Sequence, residues 1–197
     1  MTYQILTALV AFAFVSSITP GPNNLMLMAS GANFGLRRTV PHMFGVALGF
    51  VVMTILLGAG LARLFDLWPP LHLVLKGLSL VYMAWLAWKI AHAAPPEAVA
   101  AEGRPLTFLQ AAGFQWVNPK AWAMAMTAIA AYAPPDSLLG VLLVAGVFGV
   151  VNLPSITTWA VLGRGLRRVL SDPARLRVFN WGMAAMLLAS LWPLLQH

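Results

Sequence analysis

The sequence predicts an all-α integral membrane protein with six transmembrane helices. Three observations carry that reading: an apolar composition, long uncharged stretches, and basic residues sorted into alternate loops. Of 197 residues, 60% are hydrophobic and 9% charged, and the mean hydropathy of +0.82 lies outside the usual range of water-soluble domains. A helix needs about 20 apolar residues to cross the hydrocarbon core. Residues 1–36, 43–61, 137–163 and 178–195 carry no charge, and two further stretches are interrupted only by Lys76 and Lys120. The expected spans are residues 3–32, 42–62, 68–91, 106–132, 137–163 and 174–195.

The first, third and fifth loops hold Arg37 and Arg38, then Lys89 and Arg104, then Arg164, Arg167, Arg168, Arg175 and Arg177, whereas the second and fourth hold only Arg63. Lys and Arg in short loops stay on the cytoplasmic side. The first group of loops is therefore expected on the cytoplasmic side of a multi-pass membrane protein, with the N- and C-termini outside. The net charge of +7 sits in these loops, which argues against nucleic acid as a partner. The bilayer is the expected solvent. The start, Met-Thr-Tyr-Gln, lacks the positive region of a cleavable signal peptide, so the first apolar segment is expected to remain as a helix. With no cysteine, thiol catalysis, thiolate-bound metals and disulfide exchange are excluded.

Six helices divide into two sets of three, and an odd number per half places the halves in opposite orientations. Residues 57–63 align with residues 162–168, and the same offset pairs Gly77 with Gly182. This predicts two inverted three-helix repeats, residues 1–92 and 106–197, joined by a cytoplasmic linker at 93–105. That linker is the most polar and proline-marked stretch of the chain, with Pro95, Pro96 and Pro105.

The first and fourth spans are expected to be broken mid-membrane. Thr19-Pro20-Gly21-Pro22-Asn23-Asn24 interrupts one, and Gln115-Trp116-Val117-Asn118-Pro119-Lys120 the other. Proline removes a backbone donor and clashes with the carbonyl four residues earlier, and in hydrocarbon the freed groups need partners or a wet cavity. Thr19 before Pro20 and Asn118 before Pro119 each read as an N-cap followed by proline at the first helical position. Two half-helix N-termini result, whose amides and dipole suit an anionic group such as a carboxylate. Paired interruptions in two halves point to a midplane transport site. The candidate substrate-binding residues are Thr19, Pro20, Gly21, Pro22, Asn23, Asn24, Gln115, Asn118, Pro119, Lys120 and Asn152. No residue is assigned a catalytic or metal-binding role, and no cofactor is expected.

Lys120 is the one charge in the middle of the fourth span. A buried ammonium is expensive unless paired or hydrated, so it is read as a ligand for a substrate carboxylate or as a group that cycles between charged and neutral forms. Lys76, closer to the outer surface, is read as snorkelling or as a member of a structural pair. Asn152-Leu153-Pro154-Ser155 adds a proline kink in the fifth span, and Thr157 and Thr158 either line the pathway or pack helices. Gly45 and Gly49 read as a close-packing face, Tyr82 as packing, and Trp68, Trp85, Trp88, Trp181 and Trp192 as interfacial belts.

Three of these stretches together resemble the LysE/RhtB family of amino-acid exporters: residues 19–24, Asn118-Pro119-Lys120-Ala121, and residues 80–89 ending in Ala84-Trp85-Leu86-Ala87-Trp88-Lys89. The resemblance covers the whole chain in length, span count and motif order. It implies six helices, an inner-membrane location and proton-driven efflux of amino acids or their derivatives, with the homoserine/threonine and cysteine/O-acetylserine exporters the nearest branches. One departure is informative. Many relatives carry Asp where this chain has Asn23, so that position cannot carry a proton here.

Other functions fit less well. A membrane enzyme needs a nucleophile and base, or a metal set, at one depth. His42 and His92 are expected at cytoplasmic span ends, His72 near the outer face and His197 at the terminus, while Asp66, Glu97, Glu102, Asp136 and Asp172 fall in loops or span ends. His42 and His92 as haem ligands have no other support. A divalent-cation exporter is the more serious alternative, although intramembrane carboxylates are missing. A scaffold would not need paired breaks. No phosphate-cradling glycine loop occurs, so transport is expected to be secondary, by alternating access of the two repeats. A bundle this small is compatible with a homodimer.

Overall fold

The computed structural model describes residues 2–63, 67–92, 104–135, 137–166 and 169–191. Within these residues the chain is entirely helical. α1 (Tyr3–Ile18) and α2 (Pro22–Phe34) are followed by α3 (Leu36–Leu56), which continues through a π-helical turn, Leu57–Leu61, and then by α4 (Pro70–Ala91). α5 (Phe108–Phe114) runs into a 3₁₀ turn, Gln115–Val117, before α6 (Pro119–Tyr132), α7 (Leu138–Leu166), a 3₁₀ turn at Val169–Ser171, and α8 (Pro173–Ala189). A broken pair followed by two helices thus occurs twice in the chain order.

The chain is a multi-pass membrane protein by its helices. Three stretches are long and apolar enough to cross a bilayer: Leu36–Leu61, Leu73–Ala91 and Leu138–Leu166. α1 and α2 pass the same test as a pair bent by 54°. The expected break in the first span is therefore present, and so is the interruption between α5 and α6. Large apolar side chains are exposed on these helices, among them Phe14, Val15, Phe44, Leu48, Leu78, Val81 and Val150.

The first loop differs from expectation. Arg37 and Arg38 lie inside the first turn of α3, and the connection shrinks to Gly35. Gly35 has φ 78°, a left-handed backbone that side chains with a Cβ adopt only at a cost, which lets α2 fold straight back into α3. The expected linker lies mostly outside the described residues, since 93–103 fall there, as do Asp66, Asp136, Arg167, Arg168, Trp192 and His197.

Glycines set the closest approaches. A Cβ at Gly31 would meet the Ala160 carbonyl oxygen, and one at Gly163 the Met28 carbonyl oxygen, so α2 and α7 touch backbone to backbone. Gly45 and Gly49 likewise place α3 against Phe108 and Ala112 of α5, as the spacing predicts. Two apolar clusters result. One, around Met26, Met43, Met83 and Phe114, holds α2, α3, α4, α5, α7 and α8 together. The other, around Leu9, Phe50, Ala125 and Phe148, joins α1, α3, α6 and α7. Tyr82 packs 5.6 Å from Phe114 between ring centroids, a packing role as expected. Trp68, Trp85, Trp88 and Trp181 are exposed, in keeping with interfacial belts.

Val51 against Gly149 and Gly58 against Val141 make α3 and α7 antiparallel, so the start of α3, with Arg37 and Arg38, lies at the same end as Arg164. At that end Asp172 caps α8, accepting backbone hydrogen bonds from Ala174 (2.8 Å) and Arg175 (3.0 Å). Those bonds, that of Arg175 foremost, hold its carboxyl below the usual carboxylate range.

Candidate functional site

Ending α1 at Ile18 leaves its last carbonyls without helical donors, and each needs a partner in a dry interior. Side chains from three other helices supply them. Asn24 Nδ2 donates to the carbonyls of Ser17 (2.8 Å) and Thr19 (2.7 Å), and Trp159 Nε1 of α7 donates to Ile18 (3.0 Å). Lys120 Nζ of α6 donates to the carbonyls of Thr19 (2.7 Å) and Pro20 (3.3 Å) and to the Thr19 hydroxyl (2.9 Å). The ammonium therefore sits at the negative end of the α1 dipole, where a cation is stabilised. The charged end of Lys120 thus reaches across the break to the residues that follow α1.

The expected cap at Thr19 is corrected by this geometry. Thr19 is the C-cap of α1, its hydroxyl donating to the Ser16 carbonyl (3.0 Å), and α2 restarts two residues later with Gly21 as N-cap and Pro22 as first residue. Two prolines flank Gly21, and the helix resumes only after the second. Among the described residues no side chain caps α2. At the other break the expectation holds: Asn118 caps α6, its side chain accepting from Lys120 N (3.2 Å) with Pro119 at the first position. The two restarts are therefore chemically unlike.

The breaks are also tied to each other. Asn23 Nδ2 donates to Gln115 Oε1 (2.9 Å), and Gln115 Nε2 donates to Asn23 Oδ1 (3.2 Å) and to the Ala111 carbonyl (2.9 Å). Gln115 is fully buried. Gly21 completes the arrangement, since a Cβ there would lie 2.6 Å from Lys120 Cδ.

Between these groups lies a cavity of about 20 Å³ lined by Gly21, Asn23, Asn24, Asn118, Lys120 and Asn152, with Ser16, Ser17, Phe50, Met124 and Ile156. It is room for about one water molecule and too small for an amino acid, so the elements must part to admit one. The buried Ser17 hydroxyl has no partner among the described residues. Of the sequence-predicted residues, Gly21, Asn23, Asn24, Asn118, Lys120 and Asn152 face this cavity, while Thr19, Pro20, Pro22, Gln115 and Pro119 shape or brace it. Thr157 and Thr158 instead donate to the carbonyls of Leu153 (2.6 Å) and Pro154 (3.1 Å) on their own helix. Trp159, Ser17 and Phe50 carried no signal in the sequence, because an isolated Trp, Ser or Phe in an apolar span has no distinguishing neighbour pattern.

A second cavity, about 610 Å³, opens at the end opposite Arg37, between the turn Leu57–Leu61 and the facing ends of α6 and α7, with Gly58, Ile129, Pro134 and Val141 in its walls. Phe50 and Phe148 (5.0 Å between centroids), Phe12 and Tyr132 pack together in the apolar cluster between α1, α3, α6 and α7. Phe50 belongs also to the small cavity. The described residues contain no group of three or more metal-ligating side chains.

A family model described as LysE type translocator matches residues 14–190. Among curated proteins, the chain is 30% identical to a cysteine/O-acetylserine efflux protein of Klebsiella pneumoniae subsp. pneumoniae over 193 residues, covering 95% of each chain. It is 32% identical to the protein so named in Salmonella typhimurium (89% of this chain, 90% of the relative) and 30% identical to that of Escherichia coli strain K12 (89% and 90%). No solved structure matches the chain.

Proposed function

The chain belongs to the LysE type translocator family, and from that premise we propose that it is a secondary transporter exporting amino acids or amino-acid derivatives across the inner membrane. Relatives matched along nine-tenths of their length are efflux proteins for cysteine and O-acetylserine, which makes small neutral amino acids of that kind the first substrates to test.

The observation that carries the reading is Lys120, whose ammonium spans the two breaks by binding the carbonyls of Thr19 and Pro20. In this reading it is a placeholder. A zwitterion entering the cavity sets its own ammonium against those carbonyls, releasing Lys120 to pair with the carboxylate beside the first α2 amides. The carbonyls and the ammonium that meet the two ends of an amino acid thus satisfy one another in its absence.

The repeated order of a broken pair and two helices supports two inverted three-helix repeats, residues 1–92 and 106–197 about the linker 93–105, moving by alternating access. The backbone contact of α2 on α7 at Gly31 and Gly163, set against the roughly 610 Å³ cavity at the other end, supports a conformation sealed at the arginine end. The positive-inside rule makes that end cytoplasmic, with both termini outside. Proton exchange is the proposed driving reaction. Efflux of radiolabelled O-acetylserine and cysteine from proteoliposomes tests the function: substrate-specific efflux is expected, and efflux no faster than from empty liposomes rejects it.

A further inference from the structure

His42 is buried in α3 and, among the described residues, neither ring nitrogen has a hydrogen-bond partner. The sequence placed it at a span end, but α3 begins at Leu36, which carries residue 42 inside the bundle. A buried imidazole with both nitrogens desolvated is costly, and its position gives the reason for keeping it.

Because Gly35 folds α2 back on α3, the two helices run as an antiparallel hairpin whose register is fixed by the Ser30 and Thr39 hydroxyls, 2.8 Å apart. Asn33 lies one turn toward the arginine end, where it donates to Asn180 Oδ1 (3.2 Å). His42 lies three residues the other way, about 4.5 Å deeper along α3. Asn23 and Asn24 begin α2 about 9 Å deeper than Ser30 by the same rise. Polar groups therefore follow one another from the arginine end toward the small cavity as Asn33 with Asn180, Ser30 with Thr39, His42, then Asn24. His42 fills the level at which α2 presents only Met26 and Leu27.

We propose that His42 is the group that carries the exchanged proton, relaying it between the small cavity and the arginine end. This rests on the transport reading above. The elements packed on α3 are α2, α5, the turn Gln115–Val117, α6, α7 and the turn Leu57–Leu61. Their ionisable groups are Lys120 and Tyr132 on α6 and Arg164 on α7, with Arg37 and Arg38 on α3 itself. Glu97 and Glu102 lie outside the described residues. No described carboxylate on these elements offsets a charged ring, so an imidazolium at this depth needs water. Protonation and hydration are thereby tied: water entering from the cavity delivers one proton to a ring nitrogen, and water admitted at the arginine end removes it, returning the neutral ring. Other proton-holding side chains within the described spans include Lys120, engaged across the break, Lys76 on α4 and the phenols of Tyr82 and Tyr132.

The test compares wild type with His42→Gln and His42→Asn in proteoliposomes. Substrate counterflow at equal pH on both sides should persist in the variants, while acceleration of efflux by an imposed pH gradient is lost. Gradient-driven efflux equal to wild type in either variant overturns the proposal. If wild type itself moves no amino acid, the transport reading fails rather than the role of His42. Deuterium exchange at the imidazole C2 position, read by mass spectrometry on the wild-type protein, is independent of both activity and variant folding. Exchange shows that water reaches the ring, and a ring that does not exchange overturns the proposal.

Discussion

Asn23 and Gln115, 92 positions apart, hold each other through two reciprocal amide hydrogen bonds of 2.9 and 3.2 Å. The pair joins the helix restarting after the first break to the last turn before the second. Replacing either residue by Ala removes both bonds, at about 1–3 kcal/mol. The Asn23→Ala/Gln115→Ala double variant should lose less than the sum, and denaturation in detergent measures that coupling; strictly additive losses would contradict the pairing.

Lys120→Met should abolish efflux while leaving membrane insertion intact. A charge-assisted hydrogen bond contributes about 1.5–3 kcal/mol, or roughly 10- to 100-fold in affinity, and the substrate carboxylate loses that partner. Near-normal export by this variant sinks the assigned role.

Gly21→Ala forces Lys120 aside, because the added Cβ would lie 2.6 Å from Lys120 Cδ. Membrane levels should hold and efflux should fall by about tenfold, the effect of a displaced contact of about 1.4 kcal/mol. Unchanged efflux would show that the lysine acts from another position.

Gly163→Val should prevent α2 and α7 from closing, since a Cβ there meets the Met28 carbonyl. The chain has no cysteine, so a single Ser30→Cys probe reports this end cleanly. Labelling by a membrane-permeant thiol reagent should be faster with Gly163→Val than without it. Equal rates would place the seal elsewhere.

Trp159→Phe removes the donor to the Ile18 carbonyl with little change in volume. A loss of about 1–3 kcal/mol in thermal or denaturant unfolding is expected, and wild-type stability would mean that water satisfies that carbonyl.

Much of this protein follows from short-range chemistry. Apolar runs define the membrane segments, and the breaks carry Pro20, Pro22 and Pro119, of which Pro22 and Pro119 take the first position of the helix that restarts. Asn118 was legible as a cap since the residue it caps is two positions away. Thr19 was misread for the same local reason: Pro20 follows it, yet the second proline and Gly21 delay the restart. The Arg37 loop was misread because Gly35 makes a one-residue turn, whereas charge alone suggests a longer one.

The sequence by itself therefore determined the apolar, all-helical class, the two breaks and the family. Only the tertiary structure decided which groups answer the broken ends, namely Asn24, Trp159 and Lys120 for α1 and Gln115 for Asn23, and that His42 is buried with no partner among the described residues. The physical reason is distance along the chain. A proline acts on its own turn, but an orphaned carbonyl takes whichever donor packing brings to it, here from residues up to 141 positions away.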